Sequence, residues 1–209
     1  MKKRYTHQLL TLLLSAAVCV NMCGCQSKTE TVETAQPAAV STETATAATD
    51  KDGNKVATAA DFSKVTICGT EFNMPCKASD FTGDFSIDTE SEKWNSYSIC
   101  YKNTHIAILG YDEDIKKVNL KKHKPKSILL TEKSHYNING FTDDMDSDQL
   151  IQYFGEPDDM LKDDNGIIIA AKYVFNDDTT KIGTVLISKV TTVSEDTKYE
   201  VFISFRDDE

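Results

Sequence analysis

Between Gln26 and Ala60 the chain contains no aromatic residue and no Leu, Ile or Phe. Such a run, mostly Thr, Ala, Glu and Ser, cannot bury enough apolar surface to offset the entropy of ordering, and it is expected to be disordered. This blank stretch divides the chain. Residues 1–24 form a leader, residues 25–62 a tether, and residues 63–209 must supply whatever core exists. A flexible coil of that length spans roughly 30–35 Å. Asp50-Lys51-Asp52-Gly53-Asn54 imitates the start of a calcium loop inside the tether. It lacks the later acidic ligands of an EF-hand, so a flexible turn is the expectation.

The leader opens with Lys2, Lys3 and Arg4, followed by an apolar run from Leu9 to Val20 broken by Thr11 and Ser15. A membrane-spanning helix needs about 20 apolar residues. A run this short behind a cationic start reads as an export signal. It ends in Met22-Cys23-Gly24-Cys25. This resembles the lipobox of bacterial lipoproteins, with Met22 in place of the usual leucine and Cys23 in place of the usual alanine or serine. The resemblance implies cleavage before Cys25 and a diacylglyceryl group on its sulfur. Two acyl chains hold a protein on a membrane where one would not. An ordinary secreted protein cut nearby is the bland reading. The resemblance places the protein outside the cytoplasm, lipid-anchored to the cell membrane. Gln26 does not favour retention at the inner membrane, so the outer membrane is open if the host has two.

Loss of the three leader cations takes the net charge from −10 to −13, with 33 Asp and Glu remaining. A nucleic-acid binder normally carries a basic footprint, so that class is excluded. Cys68, Cys76 and Cys100 remain in the folded part, an odd number that permits one disulfide at most. Three buried cysteines acting as small apolar residues is an equal reading. If one bridge forms, Cys76 with Cys100 is the expected pair. No cysteine–histidine spacing typical of zinc occurs, so no metal and no cofactor is expected.

Alternation of apolar residues dominates residues 63–209 and means strands. Short extended pieces are expected at Val65–Gly69 and Phe72–Met74, with a helical turn at Ala78–Phe81. Ser96–Tyr101 and His105–Tyr111 read as a hairpin turning at Lys102-Asn103. Ser127–Thr131 is another short strand. Asp146 is an N-cap with Gln149 completing a capping box, Met145 and Leu150 form a staple, and Gly155 with Pro157 stops the helix. The spacing predicts a helix over about 147–154. Asp144, Asp146 and Asp148 also mimic a calcium loop, but Gln149 and Gly155 occupy its glycine and glutamate positions, and capping explains the aspartates better. Ile167–Phe175, Gly183–Val193 and Tyr199–Phe205 then form a three-stranded meander, with Glu200, Ser204 and Arg206 facing out. The expected fold class is α+β, antiparallel sheet with one or two short helices.

Ile67-Cys68-Gly69 through Phe81 resembles Ile138-Asn139-Gly140 through Leu150, each with a glycine after an apolar pair and then a methionine. The favoured picture is two tandem half-domains, 63–131 and 132–209, sharing one sheet. The second copy, Gly140-Phe141-Thr142 with Met145, Leu150 and Phe154-Gly155-Glu156-Pro157, resembles the opening of SmpA/BamE and β-lactamase-inhibitor-protein-like domains. Over perhaps 70 residues that resemblance implies a module binding protein partners at the envelope, and not an enzyme.

An enzyme would need a nucleophile with its base, a metal cluster or paired carboxylates in a pocket. The mature histidines His105, His123 and His135 form no HExxH, and no nucleophile elbow or phosphate-cradling glycine loop is present. The expectation is no enzyme. One basic run stands out, Lys116, Lys117, Lys121, Lys122, Lys124 and Lys126 around His123. It is either a patch for an anionic polymer, lipid headgroup or acidic partner, or a solvated connection. Trp94 is either an exposed anchor for a partner or sugar, or packing at a strand start. The reading is a membrane-anchored, non-catalytic protein-interaction module with an envelope protein as partner. The alternative is a lipoprotein that binds a small ligand or glycan.

Overall fold

Three two-residue turns set the local topology. Cys68-Gly69, Lys102-Asn103 and Asn139-Gly140 each place both residues at positive φ, between 47° and 94°. That is the turn whose twist matches a β-hairpin, and Gly or Asn at its second position carries the least strain. A computed structural model describes residues 48–89, 95–176, 180–191 and 197–207. The turns join β1 (Lys64–Ile67) to β2 (Thr70–Asn73), β4 (Ser96–Tyr101) to β5 (Thr104–Gly110) and β7 (Asn137–Ile138) to β8 (Phe141–Thr142). The remaining strands are β3 (Phe85–Asp88), β6 (Ser127–Leu130), β9 (Asp159–Lys162), β10 (Ile168–Val174), β11 (Ile182–Thr191) and β12 (Thr197–Phe205).

They form two antiparallel sheets. The smaller has the order β2-β1-β7-β8 and the larger β3-β4-β5-β6-β12-β11-β10-β9. The larger is two four-stranded meanders, β3 to β6 and β9 to β12, joined where Leu130 faces Val201 and Ile128 faces Ile203. The sequence of hairpin, helical turn and four-stranded meander occurs twice along the chain. The two hairpins lie side by side, since Val65 of β1 pairs with Ile138 of β7.

The only α-helix among the described residues, α1 (Ser147–Phe154), has its expected bounds. Asp146 Oδ1 accepts from Asp148 N and Gln149 N, and Gln149 Oε1 accepts from Asp146 N at 3.0 Å. Such a cap stabilises by about 1 kcal/mol. Gly155 ends the helix at φ 76° and donates to the Ile151 carbonyl. Leu150 and Phe154 are fully buried against the sheet, each stabilising by roughly 1.5–3 kcal/mol.

One core runs under the larger sheet. Phe72, Phe81 and Phe85 cluster with centroids 4.5–5.6 Å apart, and Phe62, Phe141, Phe154 and Tyr173 form a second aromatic group. Four buried tyrosines donate to carbonyls: Tyr97 to Ile115, Tyr136 to Tyr199, Tyr173 to Gly155 and Tyr199 to Ile168. Each ring adds apolar area without leaving a polar group unpaired.

The antiparallel sheets and short helices agree with the expected α+β class, but the helical share is smaller than that class implies. With one eight-residue helix, three single 3-10 turns and twelve strands among the described residues, the protein is mainly β. The second meander has a fourth strand, β9, whose Asp-Met-Leu-Lys shows no alternation because it is an exposed edge. The fold also reaches into the segment expected to be tether. Thr49 bridges Lys55, Val56 bridges Gly155, and a 3-10 turn at Ala59–Phe62 buries Ala59 and Phe62. A single aromatic at its end anchors a stretch that composition alone marks as unable to fold.

Candidate functional site

Lysines of the basic run divide between two places. Lys116 and Lys117 sit in a 3-10 turn, Ile115–Lys117, capped by Asp114. Lys121 lies in the next turn, where its N–H donates to Asn119 Oδ1. Lys122, Lys124 and Lys126 line an open cleft of about 300 Å³, and there they meet Lys77, Lys181 and Arg206. The last three lie 39 residues or more from the run in sequence. Among the described residues no carboxylate side chain lines this cleft.

Backbone hydrogen bonds hold these segments together. Phe205 N donates to Lys126 O, Arg206 N to Lys181 O, and Ser79 N to Leu120 O. Arg206, expected to face out, is half-buried and gives Nη2 to the Thr180 carbonyl. Asp207 pairs with Lys126 at the rim, and its carbonyl accepts from Lys181 Nζ. A second cavity of about 280 Å³ shares Lys124 and Lys126 with the first. Its other lining groups include Tyr111, Asp112, Glu113 and His123, with His123 Nδ1 3.7 Å from Glu113 Oε2. The Tyr111 hydroxyl is buried and has no hydrogen-bond partner among the described residues, and burial pushes its pKa well above the ordinary phenol range.

A different surface lies on the face of the larger sheet away from the core. Register aligns Ile108, Leu129, Phe202 and Leu186 in one row across β5, β6, β12 and β11. Ile108 is 36 % exposed and the other three are half-buried. None of the four belongs to the core. Glu200 stands on the same face, and burial together with Glu132 raises its carboxyl above the usual glutamate range.

The three cysteines among the described residues, Cys68, Cys76 and Cys100, are free thiols. The expected bridge between Cys76 and Cys100 is not formed, for a geometric reason. Cys76 lies inside the core, where burial and the Asp80 charge push its thiol up to about 12. Cys100 stands on the outer face of β4, opposite the exposed Ser86 and His105. Its Sγ is 3.5 Å from His105 Nδ1, and His105 Nε2 is 3.7 Å from Asp88 Oδ2. This alignment has the order of a nucleophile, base and orienting carboxylate. Burial and the Asp88 charge raise the Cys100 thiol, however, so it rests as a protonated thiol, the opposite of an activated nucleophile.

Among the described residues no group of three His, Cys, Asp or Glu is placed to hold a metal ion. Their helices include none long and apolar enough to cross a membrane. Cys25 and Trp94 lie outside the described residues. No protein-family model, curated protein or solved structure matches this chain.

Proposed function

We propose that the protein is an extracytoplasmic lipoprotein, anchored to the membrane through a lipid on Cys25, whose folded part is a non-catalytic protein-interaction module at the cell envelope. The observation that carries the interaction reading is the apolar row Ile108, Leu129, Phe202 and Leu186 on the sheet face away from the core. Four apolar side chains in register across four strands offer a continuous surface, and such surfaces mark interaction sites more often than isolated exposed residues do. The repeated order of hairpin, helical turn and meander supports two tandem half-domains, 63–131 and 132–209, sharing the sheet. The protonated state of the one thiol that faces a histidine supports the non-catalytic part of the reading. In a host with two membranes the outer membrane is the expected address.

The test places a photoreactive phenylalanine analogue at Leu129 of the full chain in intact cells, with Glu71 on β2 as the control position. A discrete protein adduct at 129 that is absent at 71, and that Phe202→Glu removes, is expected. Equal labelling at both positions, or none at 129, would contradict a protein partner on this face. The alternative, a lipoprotein that binds a small ligand or glycan, is favoured by the cationic cleft.

A further inference from the structure

We infer that the cationic cleft is a binding site for the phosphate ester of a polyol, its phosphate held by Lys77, Lys122, Lys124, Lys126, Lys181 and Arg206 and its hydroxyls reaching the adjoining cavity at Asp112 and Glu113. The inference stands apart from the sheet face and does not depend on it.

Charge carries the first part. Six cationic side chains from four separate chain segments meet in a protein whose formal charge is −10. At its rim, Asp207 pairs with Lys126. Among the described residues no carboxylate pairs with Lys77, Lys122 or Lys124. These like charges repel one another, and they persist only where the frame holds them. Here the frame is the set of backbone bonds from Phe205 to Lys126, Arg206 to Lys181 and Ser79 to Leu120. A concave site of one sign concentrates ligands of the other. Several donors around one anion, an arginine among them, suit a tetrahedral oxyanion.

Size and surroundings carry the second part. A cleft of about 300 Å³ sits at the small end of ligand sites, the size of a phosphate with a short attached chain. Among the described residues the only aromatic lining it is Phe205, which is buried. None of them offers an exposed ring there to stack a base, which disfavours a nucleotide. The adjoining cavity shares Lys124 and Lys126, so one ligand spans both. There the ligand meets the carboxylates of Asp112 and Glu113. Carboxylates accept from hydroxyls, and a second anion would be repelled. A phosphate at one end and hydroxyls at the other describe a glycerol-phosphate type of unit. That unit occurs both as a lipid headgroup and as a free or polymeric phosphodiester.

The test uses the full chain in a non-ionic detergent and follows the phosphorus NMR signal of added glycerol 3-phosphate and, separately, inorganic phosphate. Saturable broadening of both is expected, with glycerol 3-phosphate binding more tightly. Lys122→Gln with Lys124→Gln should weaken both by about tenfold or more. Lys116→Gln with Lys117→Gln, the same charge change outside the cleft, should alter neither by more than about twofold. Asp112→Asn with Glu113→Gln should narrow the preference for glycerol 3-phosphate over inorganic phosphate. No saturable binding, or equal loss in the two lysine pairs, overturns the inference. Co-sedimentation with phosphatidylglycerol vesicles, competed by soluble glycerol 3-phosphate, assigns the lipid source. Binding of the soluble ester without sedimentation assigns the free or polymeric one.

Discussion

Phe62→Ala tests where the fold begins. Phe62 lies at the end of a segment whose composition predicts disorder, yet its side chain is 0 % exposed. Its ring stacks on Phe154 at 4.7 Å and lies 5.6 Å from Phe175 and 6.0 Å from Tyr173. Truncating a core phenylalanine costs about 3–5 kcal/mol, from lost transfer energy and the cavity left behind. The rigid neighbours on both α1 and β10 limit collapse into that cavity, which favours the upper half of the range. With a urea dependence of about 2 kcal/mol/M, the unfolding midpoint should fall by roughly 1.5–2.5 M with an unchanged slope. The assay is equilibrium urea unfolding of the chain purified without its leader, followed by circular dichroism. Val56→Ala, at a side chain 43 % exposed, is the control and should stay within about 0.5 kcal/mol. A loss below about 1 kcal/mol for Phe62→Ala would return residue 62 to the tether and refute the packing described above.

Gly155→Ala should be similarly damaging, by another route. At φ 76° and ψ −172° the backbone costs on the order of 1–3 kcal/mol for any other residue, and a Cβ there would sit 1.9 Å from the Lys55 carbonyl oxygen. Limited proteolysis should show faster cleavage within residues 48–58, and an unchanged digestion pattern would contradict the Val56–Gly155 bridge. Glu200 should titrate above the ordinary glutamate range in carboxyl NMR, and Glu132→Gln should move it back down. Because the folded state holds that proton more tightly than the unfolded chain, the pair favours folding most below the ordinary glutamate value. That contribution is lost as pH rises through the raised one. A stability profile across that window identical in Glu132→Gln and the parent would contradict the pairing.

Elements with local chemistry could be read directly. Asp146, Gln149 and Gly155 specify α1 within a single turn at each end, and Lys102-Asn103 specifies a hairpin. The same hairpin turn also fixes a side-chain contact. A two-residue turn at 102–103 forces Tyr101 opposite Thr104 and Cys100 opposite His105, so the thiol–imidazole contact was open to inference. Features set by long-range pairing were not. The joining of β6 to β12, and of β1 to β7, depends on which edges meet and leaves no local mark. The same holds for the cleft. The lysine run marked half of it, while Lys77, Lys181 and Arg206 arrive through strand register. Strand β9 carries no alternation in sequence because it is an edge on which only Met160 reaches the core.

The central claim is that the folded part works from a membrane surface, held there by a lipid on Cys25. The most direct measurement is mass spectrometry of the N-terminal peptide of the protein taken from cell membranes. The account predicts a peptide that begins at Cys25 and carries a diacylglyceryl group on its sulfur. A mature chain that begins at another residue, or at Cys25 without lipid, would contradict it.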